Sequence, residues 1–437
     1  MIKSARTARR LNGQTTAVGR LTGIEGLRAV AASSIVLYHV WLYSSPSGPV
    51  EAGYVSRFAL PHLPVGVTLF FALSGYLLYR PIVSSLLANG QVPNVRNYFR
   101  NRALRILPAY WVILVVIAVI LPAALVRRSS SELYLGRMVD HPAMLLNNAL
   151  FLHNYMPVTL DTGIGPAWSL AVEVAFYLCL PALALLARYF FRRARSFTGQ
   201  LLALLAAPAA LLLLGAAGKA ATAWIVPPGD LPGHAILARS FLSYADLFAP
   251  GMVLAVLHVL VTRGQVRLPQ RWPLIIGGIL LVDVALVMVL TDRGILWDWG
   301  VANPYQRLTA LACVLLVALV VLPNSRLSRP SRLVQILNSR PLFLTGLASY
   351  SLFLWHEPIT RLLAEQRLTF AGSAGFAANI AVVAVISGSL AAVTYRFVER
   401  PALARKAAGG HVARHAPQHM GNHVSDASAT SQARREV

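Results

Sequence analysis

The sequence predicts an all-α protein, a polytopic bundle of about ten transmembrane helices with both termini in the cytoplasm. Three observations carry this. AVILMFWYC residues make up 56% of the 437-residue chain and DEKR only 13%, against roughly 25% charged residues in an ordinary soluble domain. Ten stretches approach the roughly 20 mostly apolar residues that a helix needs to cross a bilayer. The 39 Lys and Arg, against 16 Asp and Glu, fall almost entirely between those stretches. Their excess of +23 therefore reads as membrane topology, and a nucleic-acid partner, which would need one continuous basic surface, is not expected. Lipid is.

Taken in order, residues 1–20 form a basic leader containing Lys3, Arg6, Arg9, Arg10 and Arg20. No small-residue cleavage site follows it, so the next apolar segment is read as a retained span. Spans are expected at 27–43, 64–87, 106–125, 167–190, 200–217, 240–261, 273–291, 305–322, 342–361 and 375–398. With the N-terminus inside, the cytoplasmic segments hold 28 Lys and Arg and the outer ones ten, which is the positive-inside pattern. An eleventh span at 142–156 would invert every later connection, so that stretch is placed outside as a re-entrant piece. One membrane domain then covers 21–401.

From 402 to 437 the chain is polar and basic and cannot bury a core, so a disordered cytoplasmic tail is expected. His411, His415, His419 and His423 recur every fourth residue there, a spacing that would align them on a helix; a solvated tail is the plainer reading, and no metal is expected. Cys179 and Cys313 both lie inside apolar stretches and offer neither a disulfide framework nor a redox motif. No internal repeat of the kind found in many transporters is evident.

Ionisable groups inside a bilayer are costly and mark function by default. In the first span, the eleven steps from Arg28 to His39 end about 20° past three full turns, so the two share a face about 16 Å apart along the axis. Arg28 stands at the inner end, where a guanidinium suits a phosphate. His39 lies near the outer end, as a titratable base. Counting depth along the fourth and ninth spans places Glu173 and His356 in the same outer layer as His39, the parts of a general-base pair. A lone buried histidine is more often an interhelical hydrogen bonder, and His356 carries that reading more strongly than His39. Asp246 and Asp283 also fall in or near spans and read as interhelical contacts. Arg102 and Arg105, three apart just inside the membrane, form a fork able to hold two phosphates, although ordinary positive-inside charge explains them equally well. The small residues of Ser74-Gly75 suit close helix packing.

Six strings then occur in order. They are Gly23-Ile24-Glu25-Gly26-Leu27-Arg28 with His39 beyond it; Phe70-Phe71-Ala72-Leu73-Ser74-Gly75-Tyr76; and Arg102-x-x-Arg105-Ile106-x-Pro108-x-Tyr110. The others are Trp168-Ser169-Leu170-x-x-Glu173-x-x-Phe176-Tyr177, Tyr350-Ser351-x-x-Leu354-Trp355-His356-x-Pro358, and Tyr395-Arg396-x-x-Glu399-Arg400-Pro401. Together they resemble the acyltransferase-3 family of integral membrane acyltransferases, which includes O-antigen and peptidoglycan O-acetyltransferases and macrolide acyltransferases. The chain departs from the pattern at Asn101, where many members have arginine, and only a short tail follows the last span in place of the SGNH-hydrolase domain of two-domain members.

The resemblance implies an acyl-CoA donor, acetyl-CoA in the commonest case, and a hydroxyl acceptor on an envelope glycan, glycolipid or related sugar at the plasma membrane. It implies essential roles for Arg28 and His39, with Arg102, Arg105 and Glu173 also functional. Tyr110 is expected beside the donor, and Ser74, Trp168, Tyr177, Tyr350 and His356 in support. The expected mechanism has His39 as general base with Glu173 orienting its ring, and direct attack of the acceptor on the thioester. Ser74 is a weaker alternative as a covalent nucleophile, because the sequence places no base near it. The rival reading is a transporter or flippase of an envelope saccharide or lipid, in which Arg28, Glu173 and His39 would line a pathway.

Overall fold

The computed structural model describes residues 22–45, 49, 53–129, 132–224, 226, 230–293, 304–323 and 330–405. The leader at 1–20 and the four tail histidines lie outside the described residues. Each of the ten predicted spans is helical over most of its length. The first is Ile24–Tyr43, the second Val65–Asn89, and the third Val95–Val115, which continues as a π-turn over Val116–Ile120. The fourth is Ala167–Arg193, the fifth Phe197–Trp224, and the sixth Phe241–Thr262. The seventh and eighth are Trp272–Asp292 and Pro304–Val321. The ninth is Ser349–Glu365, preceded by a short helix over Arg340–Leu347, and the tenth is Gly372–Thr394, running on to Arg405.

Among the described residues, eight helices are long and apolar enough to cross a membrane unaided. The first and ninth are not among them. Both carry the polar residues singled out above, and both are wrapped by neighbours: the run from Phe353 to Thr360 in the ninth helix is buried throughout. An interior helix need not present an apolar surface to lipid. The contrasting case is Trp272–Asp292, apolar and only 11% buried over its most hydrophobic window, as a lipid-facing helix should be.

Glycines set the closest crossings. A Cβ on Gly75 would stand 2.2 Å from the carbonyl oxygen of Phe248, and one on Gly251 would stand 2.0 Å from that of Ala72. The second and sixth helices therefore touch backbone to backbone, the small-residue packing of membrane bundles. The first helix is seated in the same way, Gly26 against the Leu337 carbonyl and Gly346 against that of Glu25. Arg263, just past the sixth helix, donates to Ser84 O and Leu87 O at 2.9 and 2.8 Å, satisfying carbonyls that the end of the second helix leaves free.

The connection between the third and fourth helices differs from the sequence expectation. Pro122 cannot continue a helix and restricts Leu121 before it, so the apolar run predicted to end a span at 125 turns instead into β1 (Ala124–Arg127). This strand pairs antiparallel with β2 (Leu133–Gly136) in register Ala124↔Gly136. The stretch placed outside as a re-entrant piece forms an eight-residue helix, Pro142–Ala149, and a turn over His153–Tyr155. Eight residues rise about 12 Å, too little to cross.

Candidate functional site

Both ends of the site start from the first helix. At one end Arg28 joins Arg102 and Arg105 of the third helix in lining a cavity, whose other walls include Ser74, Glu173, Tyr177, Tyr350 and Phe353. Its empty volume is about 820 Å³, counting the solvent at its mouth. Along the second helix the lining runs from Leu78 to Val67, a rise of about 16 Å, the same as from Arg28 to His39.

The arginines are held from behind. Arg102 lies over the Tyr177 ring at 5.7 Å and Arg105 over the Tyr350 ring at 5.9 Å. Arg105 also pairs with Glu399 of the last helix at 3.3 Å, and Glu399 accepts from the Ser351 hydroxyl at 2.5 Å. The Nε atoms of Arg28 and Arg102 are buried with no hydrogen-bond partner among the described residues. Three guanidinium groups line this end against one lining carboxylate, Glu173, with Glu25 and Glu399 also within electrostatic reach of Arg28, and planar donors of this kind match phosphate oxygens.

Glu173 accepts hydrogen bonds from the hydroxyls of Ser74 and Tyr177, the latter at 2.5 Å. Arg28 is within electrostatic reach of it. The carboxylate thus belongs to the arginine cavity.

The far end of the cavity closes on aromatic rings. Phe70 and Phe353 meet edge to face with centroids 6.0 Å apart. Phe353 lies 5.9 Å from the ring of His356, and His356 Nε2 is 2.8 Å from His39 Nδ1. Tyr43 stacks on His39 at 5.6 Å and 11°, and Tyr38 meets it edge-on at 5.3 Å. Arg361 lies over the Tyr43 ring at 3.6 Å and pairs with Glu357. A run of contacts therefore leads from the arginines through Phe353 and His356 to His39. Among the described residues no cluster of three or more His, Cys, Asp or Glu could hold a metal.

Residues 21–395 match the family model described as an acyltransferase domain, acyltransferase-3. The chain belongs to the acyltransferase-3 family. Similar proteins include YrhL of Bacillus subtilis, 24% identical over 391 residues, covering 87% of this chain and 54% of that protein. The O-acetyltransferase OatA of Staphylococcus aureus is 24% identical over 395 residues, with 87% and 57% covered. The peptidoglycan O-acetyltransferase OatA of Listeria monocytogenes is 24% identical over 390 residues, with 86% and 55% covered. The chain thus spans a little over half the length of the curated relatives it matches. No solved structure matches it. Its helices and its family make it a multi-pass membrane protein.

In this acyltransferase-3 chain, Arg28, Arg102, Arg105, Ser74, Glu173, Tyr177 and Tyr350 gather in one cavity, while His39 and His356 meet beyond it. Two expectations need correction. Glu173 does not orient His39: the ring partner of His39 is His356. The depth count erred because the fourth helix begins low, with Gly165 packed against the Glu357 carboxylate. Glu173 is six residues past the first helical residue, Ala167, and so lies about 9 Å deeper. Tyr110 does not reach the cavity either. It is 80° around the helix from Arg102, and its buried hydroxyl donates to Asn148 O at 2.8 Å.

Trp168 also stands outside the cavity, against Tyr244 at 5.1 Å. Conversely, Ser74 has the carboxylate neighbour that the sequence could not place. Phe70, Phe353 and Glu399 were not singled out from sequence. Glu399 stood inside a quoted motif, but no spacing links it to Arg105, which lies 294 residues earlier.

Proposed function

We propose that this protein is a plasma-membrane O-acyltransferase. It takes an acyl group, acetyl in the first instance, from acyl-CoA bound at the arginine end on the cytoplasmic side. It delivers that group to a hydroxyl of an envelope glycan, glycolipid or related sugar at the histidine end. The observation that carries this reading is the polarity of this cavity: three guanidiniums at one end and, past Phe353 at the other, a histidine with a fixed neighbour. The separation of about 16 Å is of the order of a pantetheine arm, so phosphates on the arginines would set the thioester beside the aromatic pair. The O-acetyltransferase names of the relatives support the acceptor class.

In the transfer step, the acceptor oxygen attacks the thioester carbonyl carbon as its proton passes to His39. The new C–O bond forms, the C–S bond breaks, and the leaving thiolate takes the proton back from the imidazolium, which returns His39 to its starting state. Arg28, Arg102 and Arg105 hold the donor through charge-assisted bonds. Phe70 and Phe353 keep water from the thioester. Ser74 and Tyr177 hold Glu173 in place, where it balances the arginine charge.

The test is release of CoA thiol from acetyl-CoA by detergent-purified protein, together with acetyl-CoA binding, for wild type, His39→Ala and Arg28→Ala. The expected result is turnover abolished by His39→Ala with binding kept, and an acetyl-CoA KM raised roughly 10–100-fold by Arg28→Ala, the size of one lost charge-assisted bond. Neither binding nor turnover by the wild type, across several acyl chain lengths, would sink the reading and favour a conduit for the saccharide or lipid itself.

A further inference from the structure

We propose that His356 is a positioning residue that fixes the tautomer of His39, so that His39 acts through Nε2. The inference rests on His39 being the base. It follows from two contacts and the rule that a carbonyl oxygen can only accept.

His356 is completely buried in the ninth helix. Its Nδ1 lies 3.2 Å from the carbonyl oxygen of Leu352, one turn back. That nitrogen must carry the ring proton, because a lone pair facing a carbonyl oxygen would be repelled by it. In the neutral ring the other nitrogen, Nε2, then has only a lone pair to offer. It offers it to His39 Nδ1 at 2.8 Å. A contact this short between two ring nitrogens needs one proton between them, and that proton must belong to His39. The remaining nitrogen of His39, Nε2, is left with an in-plane lone pair and no proton. The Leu352 carbonyl, through one intermediate ring, thus acts on which atom of the base is basic, beside the hydrogen bond that the His39 ring makes to the backbone of Ile35, one turn back.

The same contacts fix direction. The His39 ring is stacked on Tyr43, edged by Tyr38 and bonded to His356, so it cannot turn over to present Nδ1. When Nε2 takes the acceptor proton, the Nδ1–H bond to His356 persists and gains a charged donor, which strengthens it. An orienting partner on the second nitrogen is the part a carboxylate plays in serine-hydrolase triads. Here a neutral imidazole fills that place, and the carboxylate of Glu173 remains free for the arginine cavity.

The experiment uses the full-length protein in lipid nanodiscs. Solid-state NMR of ¹⁵N-histidine-labelled protein, with the His39 signals assigned by their loss in His39→Gln, reads the tautomer. Thiol release reads kcat and KM for His356→Leu and His356→Gln. The proposal expects the His39 proton on Nδ1 in the wild type and on Nε2, or divided between the two, in His356→Leu. It expects a kcat for His356→Leu lower on the order of 10²-fold or more, with acetyl-CoA KM within about twofold, a split that general loosening of the bundle would not produce. His356→Gln, whose amide oxygen can accept from Nδ1–H, should recover about tenfold or more of that loss.

A wild-type His39 proton on Nε2, or a His356→Leu kcat within about threefold of wild type, would overturn the proposal while leaving the base reading intact. Full kcat in His39→Gln would instead remove the base itself, and the catalytic part of this proposal with it.

Discussion

Arg105 and Glu399 tie the third helix, whose Arg105 lines the arginine cavity, to the last, 3.3 Å apart, with the carboxylate side chain only 1% exposed. Removing one member of a buried pair strands the other, whereas replacing both by apolar residues is often neutral. Glu399→Ala should therefore cost about 3 kcal/mol, the low end for such pairs, because Arg105 keeps 18% of its side chain exposed. The double variant Arg105→Leu/Glu399→Leu should recover most of that stability while losing donor affinity. Thermal unfolding midpoints in detergent, set beside acetyl-CoA binding, check both halves; equal midpoints for the single and double variants would contradict the pairing.

Glu173 provides a test that separates its two roles. If it oriented His39, Glu173→Gln would depress kcat and leave KM unchanged. Because it lies among Arg28, Ser74 and Tyr177, we expect the reverse: a shift in acetyl-CoA KM by roughly three- to tenfold and a kcat within about threefold of wild type. Gln keeps an acceptor for both hydroxyls and removes only the charge. Steady-state thiol release over a range of acetyl-CoA concentrations measures the split.

The crossing at Gly75 and Gly251 predicts a purely structural failure. Adding one methyl group at either position would drive it into a carbonyl oxygen of the facing helix. Gly75→Ala and Gly251→Ala are expected to lose about 2–4 kcal/mol or fail to fold, since packed interiors relax only in part. Gly277→Ala is the control, because none of the described residues lies within 4 Å of a Cβ there. Size-exclusion profiles and melting curves of the three proteins decide it.

His153 sits in the connection between the third and fourth helices, outside the spans, and burial pushes its pKa down to about 4. The unfolded chain, with a histidine pKa near 6.5, then binds more protons than the folded one between these values. Stability is therefore complete above about pH 6.5 and is lost as pH falls towards 4, on the order of 3 kcal/mol in all. The melting temperature of the wild type should fall more steeply over that range than that of His153→Leu. Parallel slopes would refute the assignment.

What could be read from sequence was set by whether one helix sufficed. Arg28 and His39 share a helix, so rotation and rise per residue gave their face and separation directly. Arg102 and Arg105 are neighbours for the same reason. Glu173 against His39 was misplaced because the answer depends on the relative heights of two helices, and that offset is fixed by the contact of Gly165 with Glu357. Tyr110 was included with its motif, although helix rotation already turned it from the Arg102 face. The pairing of Arg105 with Glu399 and the closure by Phe70 and Phe353 arise only when distant helices pack, and no local period encodes them. The strand pair after Leu121 was overlooked because an apolar run was read as the end of a span, past the proline that stops it.

The first helix is seated by the last third of the chain: by Leu337 and Gly346 at one end and by His356, 317 residues beyond His39, at the other. During synthesis that helix must enter the bilayer, Arg28 and His39 included, long before those partners exist. A nascent chain halted before residue 330 would carry its three arginines without Leu337, Gly346, Tyr350 and Glu399, which seat them, and with its second histidine still unmade. The arginine cavity and the histidine pair are thus both completed only when the last third of the chain has been made.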